Sequence, residues 1–214
     1  MQIFSLHGRL YQFCVTLWQM LVLNCVFLLS CVPLLTIGAS VIALNEAMEG
    51  VLHDEYSLKR YWKTWARSLA IGMILELGVL VTIAVVAAPV ALLSYWKLSS
   101  LWATPFLVIF ALLLLIMPFL FLLPARQPRA RHPSALIEIF STAFSLAFEA
   151  LLPAMLLTVI GVGVVVASVF AWQLLPVFVL LGFAFISLVQ NVIFDHLIIS
   201  DNPEPYNRRV RKGV

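Results

Sequence analysis

Long apolar stretches broken by short charged clusters set the pattern of this chain. No charged side chain occurs between Arg9 and Glu46, between Glu76 and Lys97, between Lys97 and Arg126, or between Glu149 and Asp195. A helix rises about 1.5 Å per residue, so about 20 apolar residues cross roughly 30 Å of hydrocarbon. Every gap is long enough. The pattern predicts an all-α fold, a polytopic membrane helix bundle of about five transmembrane helices in one domain over residues 1–214.

The spans are placed at residues 10–32, 68–92, 101–123, 150–171 and 176–198. Pro33, which has no backbone N–H to continue a helix, ends the first, and Leu34 to Gly38 reads as a break. Thr36 is a candidate N-cap for a shorter helix over residues 37–52, apolar in its first half and carrying Glu46 and Glu49 in its second. That helix is too short and too acidic for a full span, so a half-embedded helix shielded by the bundle is expected. Tyr95, Trp96 and Trp102 mark a membrane interface, and Pro89, Pro105 and Pro118 predict kinks or helix starts. Over residues 134–149, Glu138, Thr142, Ser145 and Glu149 recur at helical offsets and form a narrow polar stripe. An amphipathic helix lying along the membrane surface, or lining a wet groove, is expected there. The long run from Ala150 to Phe194 suits two helices with a turn near Trp172 to Pro176.

Composition sharpens the picture. Hydrophobic residues make up 63% and charged residues 11%, against roughly 45–50% and 25% in soluble domains; a soluble enzyme, a disordered chain and a disulfide-stapled domain are all excluded. Eleven of the thirteen Lys and Arg residues fall on one side of a five-span arrangement, at 59–67, 126–131 and 208–212, leaving Arg9 and Lys97 opposite. The positive-inside rule makes that side, with the C-terminus, cytoplasmic. The N-terminus then faces outward unless the helix over 37–52 crosses the membrane. Cys14, Cys25 and Cys31 all lie in the first apolar stretch and read as small buried residues. The Leu28 to Cys31 run is not expected to be a lipoprotein cleavage box, because the apolar segment before it is too long.

The few polar residues inside apolar segments are the candidates for chemistry. Asn24, Glu76, Glu138, Glu149, Asn191 and Asp195 would line a polar or ion path if the protein conducts. Glu76 has a blander reading, a carboxylate near the cytoplasmic interface that is protonated or partnered by Arg67 or another cation. For Asn24, and for Asn191 and Asp195 with Gln190 and His196 beside them, the bland reading is interhelical hydrogen bonding and helix capping. Glu46, Glu49 and His53 share a helix face but lack a second cluster to complete a metal shell, so a solvated acidic helix end is expected, with no metal and no cofactor. Lys59, Arg60, Trp62, Lys63, Trp65 and Arg67 form a basic, aromatic segment suited to membrane lipid or to a protein partner, and not to nucleic acid. Gly163, Ala167 and Ala171, four residues apart, allow close helix approach within the monomer or in a homo-oligomer. No nucleophile elbow, His-Glu-x-x-His, Walker loop or dinucleotide fingerprint is present, and no enzymatic activity is expected.

The run from Leu23-Asn24 through Ser30, then Pro33-Leu34-Leu35-Thr36-Ile37-Gly38 and Ala43-Leu44, resembles the opening of the YesL-like family of bacterial multi-pass membrane proteins of unknown function. Phe119 to Arg126 and Glu149-Ala150-Leu151-Leu152-Pro153 are similar to that family's later half. The resemblance implies a bacterial cell-membrane protein acting as an accessory component beside a carbohydrate ABC-type uptake system. It implies no catalytic or ligand residues. Glu46-Ala47 followed by Gly50 lacks the spacing of the cytoplasmic loop of importer permeases, so the chain is not read as the permease itself. Two functions remain open: an accessory membrane component, or an autonomous small transporter or channel.

Overall fold

The computed structural model describes residues 9–53, 55–95, 104–126, 136–149, 151–160 apart from 153 and 157, 163, and 182–201; the side chains of 9, 10, 90–95, 104, 107 and 196–201 are not described. Among the described residues the long elements are all helical: α1 (Arg9–Ser30), α2 (Ile37–Leu52), α3 (Leu58–Tyr95), α4 (Thr104–Arg126), α5 (Leu136–Glu149) and α6 (Phe183–Asp201), with a 3₁₀ turn at Leu34–Thr36. Among the described residues four segments are long and apolar enough to cross a membrane, Tyr11–Ser30, Leu34–Leu52, Leu58–Pro89 and Val108–Arg126. The described residues build a helical protein with the apolar segments of a membrane protein.

The observed helices depart from the expected ones in three places. First, α3 is one helix of 38 residues that continues through Pro89, so the basic segment at 57–67 and the apolar span after it form a single rod. Second, α2 together with its preceding 3₁₀ turn reaches spanning length, which corrects the expectation that it is too short. Third, Thr36 stands at the N-cap position of α2 but makes no side-chain cap. Its hydroxyl instead donates backward to the carbonyls of Ser30 and Pro33, both at 2.7 Å. The span expected over 150–171, its small-residue stripe beyond Gly163, the turn near Trp172, and the basic residues Lys97, Arg129, Arg131 and 208–212 lie outside the described residues.

α2 is the hub. It packs against α1, α3, α4 and α6, and every residue from Gly38 to Val51 is buried except Val41 and Glu49. Small residues make this possible: Gly38, Ala39, Ser40, Ala43, Ala47 and Gly50 let neighbouring backbones come close. The tightest approach is at Gly38 and Gly72, where a Cβ on Gly38 would overlap the Gly72 carbonyl and a Cβ on Gly72 would overlap the Ala39 amide nitrogen. Only glycine fits at both positions. α2 and α3 run antiparallel, since Gly38 lies at Gly72 and Glu76 while Glu46 lies at Arg60 and Thr64.

Two apolar cores flank this hub. Met20, Leu23 and Phe27 of α1, the inner face of α2, Tyr61 and Ala184 form one. Ile71, Leu75 and Val79 of α3, residues 115–125 of α4, and Ile139, Ala143 and Ala147 of α5 form the other. Because α1 and α2 fold back on each other through residues 31–36, the start of α1 and the end of α2 point the same way.

Candidate functional site

The C-terminal halves of α2, α4 and α6 and the first turns of α3 converge at one end of the bundle, each bringing charge. Arg126 closes α4, where a cation complements the negative end of the helix dipole. Its Nη1 donates to Glu49 Oε1 at 2.7 Å and to Asp195 Oδ1 at 2.9 Å. Its Nε and Nη2 donate to Asn191 Oδ1 at 3.1 and 2.8 Å, and its guanidinium lies 5.5 Å from the centre of the Phe194 ring. One side chain thus ties α2, α4 and α6 together. A planar guanidinium suits this, because its donors diverge in fixed directions.

Arg60 performs the same task between α2 and α3. Its Nε donates to Glu46 Oε1 at 3.2 Å, its Nη1 to Glu55 at 3.2 Å, and its Nη2 stands 4.0 Å from Glu49. The other Glu46 oxygen accepts the Thr64 hydroxyl at 2.7 Å. Glu46 and Glu49 are therefore the paired centre of an ionic cluster, not the solvated helix end that the sequence suggests. His53 leaves the cluster, its Nδ1 2.9 Å from the Glu49 carbonyl oxygen. Among the described residues no group of three or more His, Cys, Asp or Glu side chains is arranged to hold a metal ion.

Behind the charges lies an amide layer. Asn191 Nδ2 donates to the Asn45 carbonyl at 3.1 Å and the Ser187 carbonyl at 2.9 Å, while the Ser187 hydroxyl donates to Asn45 Oδ1 at 2.6 Å. Asn45 Nδ2 is buried and without a partner among the described residues. A second polar layer sits at the α1–α2 break. Ser30 Oγ and the Tyr61 hydroxyl share a hydrogen bond of 2.5 Å, Ser40 Oγ donates to the carbonyls of Ser30 and Thr36, and Trp65 Nε1 donates to Ser40 Oγ.

Asn24 and Glu76, both isolated in apolar helices, have matching roles. Glu76 Oε2 accepts the N–H of Gly38, the second residue of α2, at 3.0 Å. Asn24 Oδ1 accepts the N–H of Ala184, the second residue of α6, at 3.1 Å. The first turn of a helix leaves N–H groups without intrahelical acceptors, and each side chain supplies one from a neighbouring helix. Arg67, expected as a partner of Glu76, is exposed instead.

The six candidates for a path therefore fall into separate places. Asn191 and Asp195 meet at Arg126; Asn24 is at the start of α6 and Glu76 at the start of α2. Glu138 and Glu149 are exposed on α5, whose buried face is Ile139, Ala143 and Ala147. A groove of about 850 Å³ between α3, α4 and α5 is lined by Leu75, Val79, Leu120, Phe140 and Phe144, with Ser141 and Ser145 at one side and neither glutamate among its walls. The basic segment is divided too: Lys59, Trp62, Lys63 and Arg67 face out, while Trp65 is half-buried and Arg60 points into the ionic cluster. Sequence reasoning missed Arg126 as the partner of Glu49 and Asp195, and missed Asn45, Ser187 and Tyr61. The one available signal was Asn45 beside Glu46 on an otherwise apolar helix.

The fold defines a class, helical proteins with several apolar segments of membrane-spanning length. Within it, residues 20–89 match the family described as "Protein of unknown function, DUF624", the domain of the YesL-like family. The matched segment, roughly one third of the chain, holds the second half of α1, all of α2 and most of α3, including Asn24, Glu46, Glu49, Arg60, Gly72 and Glu76. No curated protein and no solved structure matches the chain.

Proposed function

We propose that this protein is a non-enzymatic, multi-pass component of the bacterial cell membrane that works beside another membrane protein, with an ABC-type carbohydrate importer as the partner implied by the family resemblance. The observation that carries the reading is the use of the interior polar groups. Arg126, Glu49, Asp195, Asn191, Asn24 and Glu76 hold helices to one another, and their separation counts against the alternative of a transporter with a continuous path. The basic end of the bundle faces the cytoplasm by the positive-inside rule. Because α1 and α2 form a hairpin, the start of α1 lies toward that same side, in place of the outward N-terminus of a five-span count. In this reading α2 returns across the membrane beside α3, its start at Gly72 and Glu76 and its acidic second half beside the cationic first turns of α3.

The test is purification of the tagged chain from its native host in mild detergent, with companions identified by mass spectrometry. A sugar permease subunit at near-equal amount supports the proposal. A homo-oligomer without companions overturns it and directs attention to flux assays in liposomes.

A further inference from the structure

α3 begins with four cations, and the structure treats them differently. Arg60 turns inward, where Glu46, Glu49 and Glu55 surround it. Lys59, Lys63 and Arg67 recur every four residues along the adjoining outward face and are all exposed. Residues four apart lie one above another, about 6 Å along the axis, so the three form a ladder of positive charge about 12 Å long. Among the described residues none of them makes an ion pair. The nearby carboxylates among the described residues, Glu46, Glu49, Glu55 and Asp195, are engaged by Arg60 and Arg126 and not by the ladder.

Two neighbours fix its setting. Trp62 lies on the same side, 44% exposed, and meets Tyr61 and Trp65 edge-on at 5.6 and 5.7 Å; an amphipathic indole so placed suits the headgroup region. Immediately past Arg67 the exposed side of α3 becomes apolar, with Met73, Ile74, Leu77, Leu80 and Val81 all open. The ladder therefore stands where an apolar rod emerges into charge.

We infer that Lys59, Lys63 and Arg67, with Trp62, form a binding surface for the anionic headgroups of phospholipids in the surrounding bilayer. Three exposed cations without an ion pair among the described residues, at the boundary of an apolar helix, match phosphate-bearing lipid in charge and depth, since anionic lipid at a membrane surface attracts basic residues next to it. The long aliphatic stems of the lysines and the arginine lie over apolar surface while their heads reach the phosphates.

The full chain is reconstituted in vesicles of phosphatidylcholine containing a minor fraction of phosphatidylglycerol, with one lipid or the other brominated, and the quenching of tryptophan fluorescence reports which lipid lies against the protein. Wild-type protein is expected to show about tenfold enrichment of brominated phosphatidylglycerol over brominated phosphatidylcholine, falling as salt is raised. The triple variant Lys59→Gln, Lys63→Gln, Arg67→Gln is expected to lose that enrichment. The double variant Lys59→Arg, Lys63→Arg keeps the charge and is expected to retain it, and if the triple variant fails to fold, the single Lys63→Gln variant, expected to lose about half the enrichment, takes its place. Equal quenching by the two lipids in the wild type, or enrichment that survives neutralisation, overturns the inference. So does loss of a co-purifying protein from the triple variant with lipid preference unchanged, which would assign the ladder to a protein partner.

Discussion

α2 and α5 are short helices of similar length, 16 and 14 residues, each with two glutamates, and the fold puts them to opposite uses. In α2, Glu46 and Glu49 lie inside the bundle and are held by Arg60 and Arg126. In α5, Glu138 and Glu149 are exposed, and Ile139, Ala143 and Ala147 make the contact with the core. What differs is what stands opposite. α2 has four helical neighbours, two of which present an arginine at its acidic end; α5 packs its small residues on α4. A carboxylate enters the interior where a guanidinium and further donors compensate its desolvation, and stays outside where none do.

The comparison breaks most visibly at Arg126. Arg126→Leu leaves Glu49 and Asp195 without their shared cation and should cost about 3–5 kcal/mol, read as a collapse of the monodisperse peak in detergent or a large fall in thermal denaturation temperature. Arg126→Lys, with a point charge in place of a fork, should recover only part of that loss. Close behind comes Gly72→Val, which drives a side chain into the Ala39 backbone; overpacking of this kind costs about 1–3 kcal/mol or more, and cross-linking between cysteines placed on α2 and α3 should report their separation. A smaller and more informative effect is expected at Glu76. Glu76→Leu removes the acceptor of the Gly38 N–H and should cost about 1–3 kcal/mol, whereas Glu76→Gln keeps a carbonyl oxygen there and should stay within about 1 kcal/mol of wild type. Equal damage from both would show that the negative charge matters, and not the hydrogen bond alone. At the bottom of the scale, Glu138→Gln with Glu149→Gln should shift stability by less than about 0.5 kcal/mol, as exposed substitutions do. A loss as large as that of Arg126→Leu would erase the contrast between the two helices.

The helices were readable from the sequence because charge-free runs of spanning length leave few alternatives in hydrocarbon. The extents of α1, α2 and α4 lie close to the predicted ones for that reason. The continuity of α3 was not readable, since a basic, aromatic segment followed by an apolar run scores equally as one helix or as two. The site was legible only as a set of residue types. Asn24, Glu76, Asn191 and Asp195 stand out as polar in apolar surroundings, yet their partners lie 38 to 160 residues away for the first two, and helical periodicity carries no information over such distances. Arg126 illustrates the limit: in sequence it is one of several cations after an apolar span, and only packing singles it out as the one facing Glu49 and Asp195. On α5 the polar stripe was visible, but the buried face was set by Ile139, Ala143 and Ala147, which allow α4 to come close.

The two caps supplied from neighbouring helices bear on how the protein is made. Glu76 is synthesised 38 residues after the amide it accepts, so the start of α2 obtains this acceptor only when α3 emerges from the ribosome and docks. Asn24 stands in the reverse relation, carried on the first helix and joined to the N–H of α6 across 160 residues of sequence. A nascent chain halted before α6 therefore lacks the contact that joins α1 to α6, and lacks Asn191 and Asp195 beside Arg126 as well. Closure of the bundle thus waits for the synthesis of α6, which gives a cell's proteolytic surveillance a physical difference between molecules that carry this helix and molecules that lack it.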